Sequence, residues 1–171
     1  HPHIAPTPST RISYLLHMFR ALIIFLVLNA AALGLGGLFT GPGVESDWYQ
    51  GLDKAPWTPP GWVFGAAWTS IMLAFAVFMA VAWTRGIGRT ELIALYGLQW
   101  VLNVGWNAVF FQFQAVGVGL LVILALTALV VLLMLRWQPA LGSHVFWALP
   151  YVVWLLVAIS LNAYVWVQNP A

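Results

Sequence analysis

The 171-residue chain is 63% hydrophobic and 6% charged, with a mean hydropathy of +0.92 and a formal net charge of +2. That is too little charge to coat a water-soluble globule, so the chain reads as a membrane protein. Six basic residues make no patch that could track phosphates, which excludes nucleic acid as a partner, and the lack of cysteine removes disulfides, thiolate catalysis and Cys-based metal or iron–sulfur sites.

In chain order, residues 1–20 form a Pro/Ser/Thr-rich tail, expected to stay disordered until Tyr14–Arg20 meets the interface. The opening His1-Pro2-His3 is assigned no function. A first apolar span covers about residues 21–39; no small-residue cleavage pattern follows it, so it reads as a retained helix rather than a signal peptide. Small residues four apart, Ala30 with Gly34 and Gly37 with Gly41, allow close backbone approach, either within one bundle or at a dimer seam. The run GLGGLFTGPG lacks the Lys-Ser/Thr of a phosphate loop and ends a membrane helix instead of opening a soluble one.

The loop from about Thr40 to Pro60 is the longest connection, and its aromatic residues Trp48, Tyr49 and Trp57 with four prolines suit a stiff lid over the helix ends. Further spans follow at about 62–83, 92–111, 115–135 and 145–167. Each is near the roughly 20 residues a helix needs to cross a bilayer. The fold class is therefore all-α, an integral membrane bundle of five transmembrane helices occupying residues 21–169. Uninterrupted apolar character argues against an alternating membrane β-barrel. Arg11, Arg20, Arg85, Arg89 and Arg136 fall on one side of this layout and only Lys54 on the other. That asymmetry predicts a cytoplasmic N-terminus, an outer C-terminus and an outer Trp48 loop.

Of the eleven tryptophans, Trp62, Trp83, Trp137, Trp147 and Trp166 sit at or just past span ends, where an aromatic belt belongs. Trp68, Trp100, Trp106 and Trp154 lie deeper; Trp68 and Trp106 are roughly 8 to 9 Å below the outer boundary, under the Trp48 loop. Gln99, Asn103 and Asn107 recur every four residues and so share a face of the third span. On the fifth span Trp147, Tyr151, Trp154 and Ala158 form an aromatic face, with Asn162 one turn on. Amides in hydrocarbon must face protein or a cavity. Taken singly these residues also fit helix-helix glue and core packing; taken together under a lid they favour an aromatic pocket.

No Asp, Glu, Lys, Arg or His falls inside a span, which leaves no relay for ion-coupled transport, no bis-histidine haem, no metal cluster and no Ser-His-Asp site. Asp53 and Lys54 read as a solvated loop contact rather than a catalytic pair.

Trp48-Tyr49 followed by Leu52, Lys54, Trp57, Pro59-Pro60 and Trp68-Thr69, then Asn103 with Trp106 and Phe110-Phe111, then Pro150-Tyr151, Trp154 and Leu161-Asn162, resemble the TspO/MBR family of tryptophan-rich sensory proteins over roughly residues 21–169. The resemblance implies a five-helix bundle, commonly a homodimer in membrane lipid, that binds protoporphyrin IX, haem and flat apolar synthetic ligands and requires no resident cofactor. It implies Trp68 and Asn103 as polar ligand contacts, Trp48 and Tyr49 as the lid, and Trp106, Trp154 and Ala158 as the wall; Tyr151 joins the candidate ligand-binding residues from the aromatic face of the fifth span. A rival activity within the family is light- and oxygen-dependent porphyrin breakdown, with Trp68 and Trp154 as candidate redox indoles; porphyrin transport is a third. The implied location is a bacterial cell membrane. Two positions depart from the family pattern. Ala55 separates Lys54 from Pro56 before the loop tryptophan, and Tyr164 is not followed by the basic residue that the animal-type cholesterol motif needs.

Overall fold

The computed structural model describes residues 8–170, and all regular structure among them is helical. Five long helices, α1 (Pro8–Glu45), α3 (Gly61–Thr84), α4 (Arg89–Asn107), α5 (Val116–Leu141) and α6 (Leu149–Gln168), are joined by short pieces, of which α2 (Asp47–Gly51) belongs to the lid. The segments Arg11–Glu45, Gly61–Thr84 and Val116–Gln168 are long and apolar enough to cross a bilayer, the last running through both α5 and α6. The α4 helix is not among them, because Gln99, Asn103 and Asn107 dilute its apolar character.

The helices close into a ring in which α1 packs on α3 and α4, α5 on α4 and α6, and α6 back on α3. One end gathers the N-terminal part of α1 and the C-terminus of α3, where the Tyr14 hydroxyl lies 3.5 Å from Thr84 Oγ1, together with Arg85, Arg89 and Arg136. The other end carries the lid and Lys54. The wall of α3 toward the Arg-rich end is solid: Phe75, Ala76, Phe78, Met79, Ala80 and Ala82 are fully buried.

Several boundaries differ from the sequence reading. The tail expected over 1–20 is helical from Pro8 onward, since proline suits a first helical turn and Ile12, Leu15, Leu16 and Phe19 continue an apolar surface along α1; residues 1–7, with His1 and His3, lie outside the described ones. The loop expected from Thr40 begins only after Glu45 and is interrupted by α2, whose first turn is capped by Ser46 Oγ accepting from the Tyr49 N–H at 3.2 Å. The fourth span runs on to Leu141, where Gly142 at φ 57° ends it. Residues Gly142–Ala148 form a tight 3₁₀ turn, so Trp147 is exposed there and does not join the face of Tyr151 and Trp154.

Two further corrections concern packing. Trp137, expected in the aromatic belt, is 1% exposed: its ring stacks on Phe78 at 5.7 Å and its indole N–H donates to Glu91 at 2.9 Å. Gly34, Gly37 and Gly41 of the small-residue pattern face outward, with nothing near the place of a Cβ. The glycines that bring α1 against the bundle are Gly36, beside Asn107, and Gly43, where a Cβ would fall 2.5 Å from Phe111.

Candidate functional site

Helical spacing turns Asn103 and Trp106 of α4 to the same side, as it does Leu155 and Ala158 of α6. With Trp68 of α3 and Ile123 and Leu126 of α5, these residues surround an inner hollow. It is so narrow, with about 10 Å³ of room, that about one water fits. Asn103 is buried here, and its side chain makes no hydrogen bond to another described residue. Tyr151 stands behind Trp68, ring edge against ring at 5.8 Å, and its hydroxyl accepts from Gln99 Nε2 at 2.8 Å.

Above it, Tyr49, Lys54 and Thr58 of the lid roof an outer hollow walled by Phe64, Trp106, Phe110, Phe111, Ala158 and Asn162. It opens to the exterior and leaves about 60 Å³ of room, well below the roughly 300–1,000 Å³ of ordinary small-molecule sites. Trp106 and Ala158 border both hollows. Trp48 backs the roof, edge-on to Phe110 at 5.7 Å, and Trp154 backs the wall, edge-on to Phe64 at 5.4 Å. Of the sequence-derived candidates, Tyr49, Trp68, Asn103, Trp106 and Ala158 therefore face the hollows, whereas Trp48, Tyr151 and Trp154 support residues that do.

A π-turn over Ala108–Gln112 builds the upper wall. The Phe113 N–H reaches back to the Ala108 carbonyl at 3.0 Å, and the extra residue lets neighbouring Phe110 and Phe111 both bury under the lid, 4.9 Å apart. Such turns concentrate at functional sites. Neither phenylalanine stood among the sequence-derived site residues, because a 3.6-residue period cannot show this insertion. Asn162, which the sequence places one turn beyond Ala158 on the aromatic face, borders the outer hollow.

The lid is tied to α6. The Trp57 indole N–H donates to Ser160 Oγ at 3.2 Å and its ring meets Tyr164 edge-on at 5.4 Å. The Lys54 ammonium donates to the Gln50 and Leu52 carbonyls at 3.4 Å each and lies 4.8 Å from the Tyr49 ring centre; it has no carboxylate partner among the described residues. Burial pushes the Tyr49 phenol up, so it faces the hollow as a neutral hydroxyl.

Polar bookkeeping divides the amide stripe. Asn107 is spent on packing, accepting from Thr40 Oγ1 at 2.7 Å and donating to the Asn103 carbonyl at 2.9 Å. By contrast, Trp106 Nε1 and both amide atoms of Asn162 are buried with no hydrogen-bond partner. Gln99 Oε1, which borders neither hollow, is likewise without a partner. No group of three or more metal-ligating side chains comes together among the described residues. The arrangement can hold a flat apolar body between aromatic walls and offer it a few N–H donors.

Residues 23–167 match the model of the TspO/MBR family. The chain is 33% identical over 146 residues to the Tryptophan-rich protein TspO of Archaeoglobus fulgidus, covering 84% of this chain and 94% of that protein. It is 34% identical over 121 residues to the Tryptophan-rich sensory protein of Cereibacter sphaeroides (68% of this chain, 73% of that one), and 30% identical over 126 residues to the human Translocator protein (71% and 75%).

Proposed function

The chain belongs to the TspO/MBR family of integral membrane proteins, and on that premise we propose that it binds and senses tetrapyrroles, porphyrin or haem, in the hollow under its aromatic lid. The observation that carries the reading is the meeting of Trp68, Asn103, Trp106 and Ala158, drawn from three helices, around the inner hollow, with Trp106 and Ala158 also bordering the outer one under the lid. Flat aromatic walls suit a macrocycle, and indole and amide groups supply orientation at low cost in side-chain entropy. Neither hollow holds such a ligand as it stands, so uptake requires the lid and the Trp106 ring to move. A role in sensing accords with the name of the Cereibacter sphaeroides relative.

Titration with protoporphyrin IX, followed by quenching of tryptophan fluorescence, tests this. The Trp68→Ala/Asn103→Ala double variant is expected to lose affinity; affinity equal to that of the unmodified protein overturns the assigned site. Porphyrin breakdown is the weaker reading, since Trp154, the second candidate indole, stands behind Phe64 rather than at the hollow. Transport is weaker still, because the fully buried Phe75, Phe78 and Met79 fill the bundle toward the Arg-rich end. In the proposed orientation that end faces the cytoplasm of a bacterial cell. The outward Gly34, Gly37 and Gly41 of α1 are the proposed seam of a homodimer, which cysteine crosslinking at those positions tests.

A further inference from the structure

Helix α1 is longer than a bilayer needs. Its 38 residues rise about 57 Å at about 1.5 Å each, against a hydrocarbon core of about 30 Å. The contact of Tyr14 with Thr84 marks the level at which α3 ends, and Arg11 lies one turn further out on the same side of α1. Ile12, Leu15, Leu16 and Phe19, each more than half exposed, carry an apolar stripe down to this level, between the exposed Arg11 and Arg20. The turn that joins α3 to α4 at the same end reads Arg85-Gly86-Ile87-Gly88-Arg89. Gly86, at φ 82°, tightens it, Ile87 packs inward against the core, and neither glycine sets a side chain between the two exposed arginines.

Arg89 is held in place. Its guanidinium carbon lies 3.5 Å from the centre of the Trp83 ring and its Nη1 donates to the Trp83 carbonyl at 3.0 Å, which fixes the plane and leaves its other N–H groups without a partner among the described residues. Glu91, the one carboxylate of this end, is taken by Arg136, so Arg11, Arg20, Arg85 and Arg89 make no ion pair among the described residues. These arginines are too few to follow a nucleic-acid backbone, yet a guanidinium held flat on an indole presents a preformed fork to a single phosphate. Charge selects the headgroup that carries it. A choline or ethanolamine headgroup brings its own cation into a field that four unpaired arginines already make positive, whereas a phosphodiester without an amine does not. We propose that this end of the bundle is a docking surface for an anionic phospholipid, in which Arg85 and the Trp83-backed Arg89 clasp the headgroup phosphate and the stripe of α1 at the same level lies along acyl chains. The surface is separate from the hollows under the lid.

The test titrates the full chain, in neutral detergent, with phosphatidylglycerol and with phosphatidylcholine carrying the same acyl chains, and reads bound lipid by native mass spectrometry. Unmodified protein is expected to retain the anionic lipid about fivefold or more over the zwitterionic one, the scale of one arginine at a membrane surface. Arg85→Gln and Arg89→Gln are each expected to lower that ratio about threefold or more. Arg89→Lys, which keeps the charge but loses the fork and the stacking on Trp83, is expected to fall nearly as far as Arg89→Gln. Both arginines are exposed, so these variants leave the packed core untouched. Equal retention of the two lipids, or a ratio unmoved by both glutamine variants, overturns the docking surface. A ratio fully kept by Arg89→Lys overturns the clasp on Trp83, and displacement of the lipid by an excess of inorganic phosphate overturns a lipid as its occupant.

Discussion

The side-chain amide of Asn169 grips the backbone of Asp53 from both sides: its Oδ1 accepts from the Asp53 N–H at 2.9 Å, and its Nδ2 donates to the Asp53 carbonyl at 3.1 Å. The pair joins the end of α6 to the lid just before Lys54, so the helix that contributes Ala158 and Asn162 to the hollow also holds its roof. Both bonds are exposed, and each is therefore worth little alone. Asn169→Ala is expected to speed dissociation of protoporphyrin IX roughly 3- to 10-fold, with a smaller change in association. Stopped-flow displacement measures this, and an unaltered off-rate shows that lid opening does not limit release.

The glycines of α1 separate into two classes that substitution distinguishes. A Cβ at Gly43 would meet the Cβ and ring of Phe111 at 2.5 Å, and Phe111 is fixed at its own backbone by the π-turn. Gly43→Ala is expected to cost about 1–3 kcal/mol through overpacking. Gly34→Ala, with nothing of its own chain within 4 Å, is expected to be neutral or stabilising by up to about 1 kcal/mol in the monomer, the helix propensity gained. Thermal unfolding of both variants in detergent decides; equal melting temperatures contradict the packing of α1 on Phe111.

At the Arg-rich end, Arg136 pairs with Glu91 through contacts of 2.6 and 2.9 Å, and Trp137 adds its indole N–H at 2.9 Å. These hydrogen bonds, that from Arg136 first, hold the Glu91 carboxyl well below its ordinary 4.5, at about 2. A lowered folded-state value means stabilisation present above pH 4.5 and lost as pH falls through about 2. The unmodified protein is expected to melt above Glu91→Gln at neutral pH, and the gap to shrink across that acidic window. Melting curves that stay parallel in pH would count against the contact.

The parts of this fold that repeat at helical spacing were legible in the sequence. Five helices and the inward turn of Asn103 and Trp106 follow from apolar length and four-residue periodicity, quantities set by local chemistry. What stayed hidden depends on one residue more or less, or on a partner far along the chain. The π-turn that buries Phe110 with Phe111 breaks the period that reveals α4. Trp137 looked like a belt residue by depth, and only the approach of α4 carries Glu91 to its indole. Depth alone likewise could not separate Trp154, behind Phe64, from Trp68 at the hollow.

A last expectation concerns the polar layer inside the bundle. Asn29, 2% exposed on α1, donates through Nδ2 to the Met72 carbonyl at 2.8 Å and accepts at Oδ1 from the Tyr96 hydroxyl at 2.8 Å, binding α1, α3 and α4 together. Tyr96→Phe preserves the ring that meets Phe25 at 5.0 Å but strands the amide oxygen. Interhelical bonds of this kind average about 0.6 kcal/mol in membranes and reach about 1.7, because the unfolded state finds partners too. Burial within three packed helices sets this one toward the upper value, so Tyr96→Phe is expected to cost roughly 1–2 kcal/mol. Asn29→Leu removes the stranded acceptor, so adding Tyr96→Phe on that background is expected to cost less than in the unmodified protein. Unfolding free energies around this double-mutant cycle measure the coupling. Strictly additive effects would mean that the Asn29–Tyr96 contact carries no stability of its own, and that packing around Phe25 and Phe75 alone fixes the crossing of α1 and α4.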